Sequence, residues 1–248
     1  MTAIEVALVR AANPSPFTLS GTNTWVVGRD PAWVVDPGPA LEAHLAAVAA
    51  AVAARGGAGG IALTHDHADH MEGLAALRDR LGAPPVGAMR AAADVALRDG
   101  DAFGPFTAHH VPGHAADHLV FVAGRAAFTG DAVLGEGSVF IAPDGGSLGS
   151  YLDGLRRLRA LGLERIHPGH GPEIDDPGAK LDEYVAHRLE RERRILAALD
   201  AGARTEEELL AAAWDGVPEA LRLPAAWTLR AHLEKLREEG RLPAGAGG

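Results

Sequence analysis

Seven residues, Thr64 to His70, read T-H-D-H-A-D-H and hold five side chains able to bind a metal: His65, Asp66, His67, Asp69 and His70. An apolar run, Ile61-Ala62-Leu63, introduced by Gly59-Gly60, predicts a buried strand that ends at this cluster. Residues two apart in an extended segment point the same way, so His65 and His67 can converge on one ion while Asp66 points elsewhere. Asp69 and His70 follow after a bend and could hold a second ion beside the first. Three more stretches repeat the pattern of apolar strand followed by ligand type. Thr107 to Val111 leads to Pro112-Gly113-His114, Ala126 to Phe128 leads to Gly130-Asp131, and Arg165 to His167 leads to Pro168-Gly169-His170. Glycines beside the candidate ligands permit tight turns. Ligands at the ends of several strands can meet along one sheet edge, where α/β active sites commonly lie.

The whole chain bounds what this cluster can serve. Its 248 residues, 47% apolar and 23% charged, allow a large domain with an appendage and a proper core. A formal charge of −10 argues against broad affinity for nucleic acid or anionic membrane. With no cysteine there is no disulfide, thiolate ligand or thiol nucleophile. A metal cluster of this kind requires no side-chain nucleophile, so water is the expected nucleophile. The N-terminal residues do not read as a signal peptide, and no apolar stretch approaches the ~20 residues that span a bilayer. A cytoplasmic protein is expected.

The elements that must position the ligands can be read in order. Strands are expected at residues 4–9, 22–27 and 32–35, the last closing on Asp36-Pro37-Gly38. A helix follows from Leu41 to Ala54, with Leu41, Leu45, Val48 and Val52 on one face. Another opens at Leu74. The order is α/β in type. A glycine-rich loop from Leu134 to Gly149 reads as a mobile element or a rim that admits substrate, and a helix with Tyr151, Leu155 and Leu158 on one face follows it. Beyond this, Leu181 to Leu199 is one long charged helix whose apolar members are Leu181, Tyr184, Val185, Leu189, Ile195 and Leu196. Thr205 and Glu208 form a capping box. A third helix, about Pro224 to Glu239, carries Leu229, Leu233 and Leu236. This partition predicts a catalytic domain over 1–178 and a small helical, winged-helix-like domain over 179–248. Basic Arg230, Lys235 and Arg237 alternate with Glu234, Glu238 and Glu239, so a solvated face is expected there rather than a DNA reader.

In this order, H-D-H-A-D-H, P-G-H, G-D and P-G-H-G resemble the motifs of the metallo-β-lactamase-fold hydrolases over about residues 1–175. Residues 13–25, 112–118, 128–137 and 184–192 are similar, more narrowly, to the β-lactamase-like protein 2 group. The resemblance implies an α/β fold, a four-layer αββα sandwich with two metals at one edge, and a C-terminal winged-helix-like domain. It also implies endoribonuclease action on single-stranded RNA, as in the animal member, or thioesterase action, as in fungal relatives. By motif, His65, His67 and His114 would bind the first metal, Asp69, His70 and His170 the second, and Asp131 would bridge them. His118 and Asp36 would support these ligands from behind.

All-nitrogen-and-oxygen ligation suits two zinc ions, with manganese or iron compatible by ligand type. Such ions lower the pKa of a shared water towards ~7 and present hydroxide, which Asp69 is placed to orient as the catalytic carboxylate. His187 and Arg188, in the family-like stretch, are expected at the substrate rim. The leading expectation is RNA phosphodiester cleavage, with thioester or ester hydrolysis as the alternative and a mononuclear iron persulfide dioxygenase third. Small-molecule ester or single-stranded RNA is therefore the expected partner, with no DNA and no membrane; oligomeric state is not legible.

Overall fold

The computed structural model describes residues 4–89, 93–141 and 147–242. Within the glycine-rich loop, residues 142–146 lie outside them. Strands β1 (Val6–Arg10), β2 (Asn23–Val27) and β3 (Ala32–Val35) come first, then helix α1 (Glu42–Ala53) and strand β4 (Ala58–Ala62). Helices α2 (Ala68–Met71) and α3 (Leu74–Arg80) are followed by β5 (Val86–Ala88), β6 (Val95–Ala96) and β7 (Ala102–Phe103). Next come β8 (Phe106–His110), β9 (Leu119–Ala123) and β10 (Ala126–Gly130), then α4 (Leu148–Ala160) and β11 (Arg165–Pro168). Helices α5 (Pro177–Asp200), α6 (Glu206–Ala213) and α7 (Arg222–Glu238) complete the order.

The strands form two sheets, one in the order β1-β2-β3-β4-β5-β6 and one in the order β11-β10-β9-β8-β7. Strand alternation explains why they stack. On β2, β3 and β4, Trp25, Val27, Val35 and Ala62 face Phe106, Phe121 and Phe128 of the other sheet. Their neighbours Val26, Val34 and Ile61 lie in register across the strands and turn outward, under Leu45, Val48 and Val52 of α1 and Leu74 and Leu77 of α3. The outer face of the second sheet, Val120, Val122, Ala127 and Ile166, is covered by Tyr151, Leu155 and Leu158 of α4 with Leu181 and Tyr184 of α5. The αββα sandwich expected from sequence is the observed architecture. Leu41 is the exposed N-cap residue of α1 rather than part of its buried face, and Leu189 is likewise exposed on α5.

Twenty-four residues give α5 a length of about 36 Å. Its first half belongs to the core beneath α4, while Ile195 and Leu199 in its second half join Leu209, Leu229, Leu233 and Leu236 in a separate core with α6 and α7. One rigid helix therefore serves both cores. The Thr205–Glu208 capping box forms as expected, a feature worth ~1 kcal/mol of helix stability. Arg230 pairs with Glu206 and Lys235 with Glu192, so these cations are matched within the helical unit. Among the described residues no helix is long and apolar enough to cross a membrane.

Candidate metal centre

Every sequence-derived ligand lies at the end of a strand on one edge of the sandwich. The segment after β4 delivers His65 and His67, and the short turn of α2 lifts Asp69 and His70. His114 follows β8, Asp131 follows β10 and His170 follows β11. Their donor atoms fall into three overlapping sets, each within 4.8 Å: His65, His67 and His114; His65, His70 and Asp131; Asp69, His70 and His170. Asp66, the residue expected to point elsewhere, is exposed.

Four of the imidazoles have their outward nitrogen committed. His70 Nδ1 donates to Asp36 Oδ2 at 2.9 Å, His114 Nδ1 to the Phe140 carbonyl at 3.3 Å and His170 Nδ1 to the Gly21 carbonyl at 3.3 Å. His65 Nδ1 meets Thr64 Oγ1 at 2.9 Å, and that hydroxyl in turn donates to Asp36. A neutral imidazole whose Nδ1 carries the proton offers a bare lone pair at Nε2. Those lone pairs converge. His114 Nε2 lies 2.9 Å from His67 Nδ1, and His70 Nε2 lies 3.3 Å from His170 Nε2. Buried His65 Nε2 has no hydrogen-bond partner among the described residues. Opposed acceptors at this spacing call for a cation between them, and the donor set fits a transition metal.

The carboxylates complete the electrostatics. Asp131 places Oδ1 3.3 Å from His70 Nε2 and 3.4 Å from His170 Nε2, with Oδ2 3.5 Å from His114 Nε2. It thus touches both sets of imidazoles. Burial pushes its acidity down, but the charges of His70 and His170 outweigh that and hold it ionised. Asp69 behaves alike: burial opposes ionisation, yet the hydrogen bond from His170 and the charge of His70 bring its pKa to about 2. Burial holds His114 down to about 4, whereas His170 rises to about 9 because Asp131 and Asp69 overcome its desolvation. The proton that Asp131 and Asp69 hold on His170 is one that a metal ion would displace.

Close approach requires glycine at two points. Gly169 sits where a Cβ would come 2.6 Å from Asp131 Oδ1 and 2.7 Å from the His70 ring. Gly130 has φ +46°, and a Cβ there would strike the Thr64 hydroxyl that supports His65. His118 stacks on His65 with ring centroids 4.8 Å apart and accepts the Asp131 backbone N–H at 3.1 Å, so it holds the turn carrying that carboxylate.

Several supports lie outside the residues singled out from sequence. Thr22 Oγ1 donates to Asp69 at 3.3 Å, and the Asn23 amide donates to the carbonyls of Pro168 and Gly171, fixing the His170 turn. Both lie in the Thr22-Asn23-Thr24 stretch at the start of β2, where adjacent polar residues on an otherwise apolar strand were the available clue. Arg188 departs from the expectation of a substrate rim. It is 2% exposed and donates to the Val139 carbonyl behind the cluster, because α5 packs that face against the loop. His187 is half-buried and accepts from Arg191 at 3.3 Å.

Comparison with known proteins agrees with this geometry. Residues 17–95 and 94–170 match the metallo-beta-lactamase superfamily, and residues 205–244 match the beta-lactamase associated winged helix domain. The chain is 32% identical to the Caenorhabditis elegans beta-lactamase-like protein 2 homolog, across 95% of this chain and 85% of that one. It is 34% identical to an atrochrysone carboxyl ACP thioesterase of Aspergillus chevalieri, across 87% and 75%. A metallo-beta-lactamase family protein of Thermus thermophilus superposes with a TM-score of 0.71 at 25% identity, covering 95% and 94% of the two chains. The strand-end histidines and aspartates and these similarities together make the chain a hydrolase of the metallo-beta-lactamase superfamily, with an associated winged helix domain.

Proposed function

We propose that the protein hydrolyses an acyl thioester or ester with two zinc ions, the same nitrogen and oxygen donors accommodating manganese or iron. His65, His67 and His114 would hold one ion, Asp69, His70 and His170 the other, with Asp131 between them. Ions in such a pair supply Lewis acidity and water of lowered pKa. Asp69, ionised and only partly buried, is the group that accepts a hydrogen bond from the attacking water and orients it.

The observation that carries the choice of substrate is an aromatic lip. Phe17 is 54% exposed and meets Phe140 edge-on, with ring centroids 6.5 Å apart. The Phe140 carbonyl is the acceptor for His114, so this pair flanks the ligand cluster. An exposed aromatic edge offers an acyl chain apolar contact. Charge points the same way: Asp66 and Glu136, on two ligand-bearing loops, are exposed, and the chain carries −10 overall. The thioesterase named among the relatives supports this reading.

The test presents metal-loaded protein separately with acyl thioesters and single-stranded RNA, alongside a His65→Ala control. Thioester turnover that His65→Ala abolishes is the expected result. Metal-dependent RNA cleavage with the thioesters left intact would overturn the proposal in favour of phosphodiester chemistry.

A further inference from the structure

Three consecutive residues of the loop after β10 are each held by a different partner. The Val139 carbonyl accepts from Arg188 of α5, the Phe140 carbonyl accepts from His114, and the Ile141 N–H donates to Thr228 of α7 at 3.2 Å. One turn before Arg188 on the same helix, the Tyr184 hydroxyl accepts the Leu134 N–H at 2.9 Å. The described part of this loop is consequently a strap, with Val139 and Ile141 buried.

Arg188 also touches the other side of the centre. Its guanidinium carbon lies 5.8 Å from the Tyr151 ring centroid. Tyr151 donates to the carbonyl of Ala132, next to Asp131, at 2.6 Å, and its Cβ lies so near Gly113 that any side chain there would collide. A buried guanidinium is costly, and its Nε is unpartnered; no ion pair joins Arg188 to a carboxylate among the described residues. Packing alone would be served as well by a methionine or leucine. What arginine adds is a rigid charged donor fork against the strap and the Tyr151 face.

We infer that Arg188 is a positioning residue for metal binding: through Val139–Phe140 it fixes the acceptor that aims His114, and through Tyr151 it braces the turns bearing His114 and Asp131. The helical unit is then part of the metal centre's frame, although it supplies no ligand. The inference rests on His65, His67 and His114 holding an ion and is indifferent to which bond the enzyme cleaves.

The test measures zinc affinity by chelator competition and, separately, thermal unfolding of metal-free protein. Arg188→Met should weaken zinc binding by about 10–100-fold, the range for groups that orient ligands. Arg188→Lys, which retains a charged donor, should recover much of it. Lys235→Met, which breaks the ion pair with Glu192 in the same helical unit, should lower the unfolding midpoint and leave zinc affinity unchanged. Should Arg188→Met fail to fold, Thr228→Val releases only the Ile141 end of the strap and should still weaken zinc binding. Wild-type affinity in folded Arg188→Met, or in Thr228→Val where that variant stands in, overturns the inference, as does an equal loss in Lys235→Met. Wild-type protein that binds no zinc would instead remove the metal reading itself.

Discussion

Asp36 and His70 are joined by a 2.9 Å hydrogen bond from Nδ1 to Oδ2, and the same carboxylate accepts from the Thr64 backbone and hydroxyl at 2.8 Å each. Since Thr64 Oγ1 also meets His65 Nδ1, one buried carboxylate orients an imidazole in each ligand set. Its φ of 54° is a conformation that Asp and Asn tolerate better than Ala, so Asp36→Asn is the clean probe. Asp36→Asn should weaken both metal positions, by ~10–100-fold. Thr64→Val should weaken only the position that includes His65. Titration of each variant with zinc against a chelator checks this, and an Asp36→Asn protein with wild-type affinity at both positions would remove the orienting role.

Asp131 lies within 3.5 Å of His70, His114 and His170, contacts no other carboxylate matches among the described residues. Elemental analysis of the wild type should return close to two transition-metal ions per chain, whereas a single iron would favour the dioxygenase reading. Asp131→Ala should hold fewer ions and lose turnover, a larger effect than that of Asp36→Asn. A variant that keeps two ions and wild-type turnover would show that Asp131 does not bridge them.

The clustering of these histidines and aspartates was legible because metal chemistry restricts residue type, and strand periodicity says where each falls. His65, His67, Asp69, His70, His114, Asp131 and His170 could all be named from those two facts. Strands β2, β3 and β10 were readable for the same reason, as apolar runs closed by turn residues. Strand β9 carries the same signal, an apolar run of five buried residues before Gly124, although no strand is expected there in the reading from sequence above. The strap, by contrast, was illegible. Val139, Phe140 and Ile141 act through backbone groups, and any apolar residue would present the same carbonyls and N–H. Arg188 was misplaced at a rim because a charged side chain on a helix is usually solvated; its burial depends on tertiary contacts with Val139 and Tyr151.

The lip formed by Phe17 and Phe140 should govern substrate affinity more than chemistry. Phe17→Ala removes an exposed ring and leaves the ligands and their acceptors untouched, so the fold should be unaffected. Its expected signature with a long acyl thioester is a KM raised about tenfold at nearly constant kcat, with little change for an acetyl thioester; a tenfold effect equals ~1.4 kcal/mol of lost apolar contact. Equal KM changes for both substrates would detach the lip from acyl recognition.

His232 gives the helical unit its own acid sensitivity. It is fully buried on α7, with neither ring nitrogen hydrogen-bonded among the described residues. Burial, then Arg188, Lys235, His187 and Arg191 around it, bring its pKa to about 3, against 6.5 for the free side chain. Trp214 borders the ring on the α6 side. The folded protein thus keeps His232 neutral while the unfolded chain protonates it below pH 6.5. Stability is fully present above that pH and is lost as pH falls towards 3, by at most ~1.4 kcal/mol per pH unit from this one group. Replacing it with phenylalanine, which is close in size and cannot titrate, should flatten the dependence over that window. Denaturant unfolding of metal-free wild type and His232→Phe across pH 3.5 to 7.5 provides the comparison. Stability curves that run parallel would mean that His232 takes up its proton equally in both states.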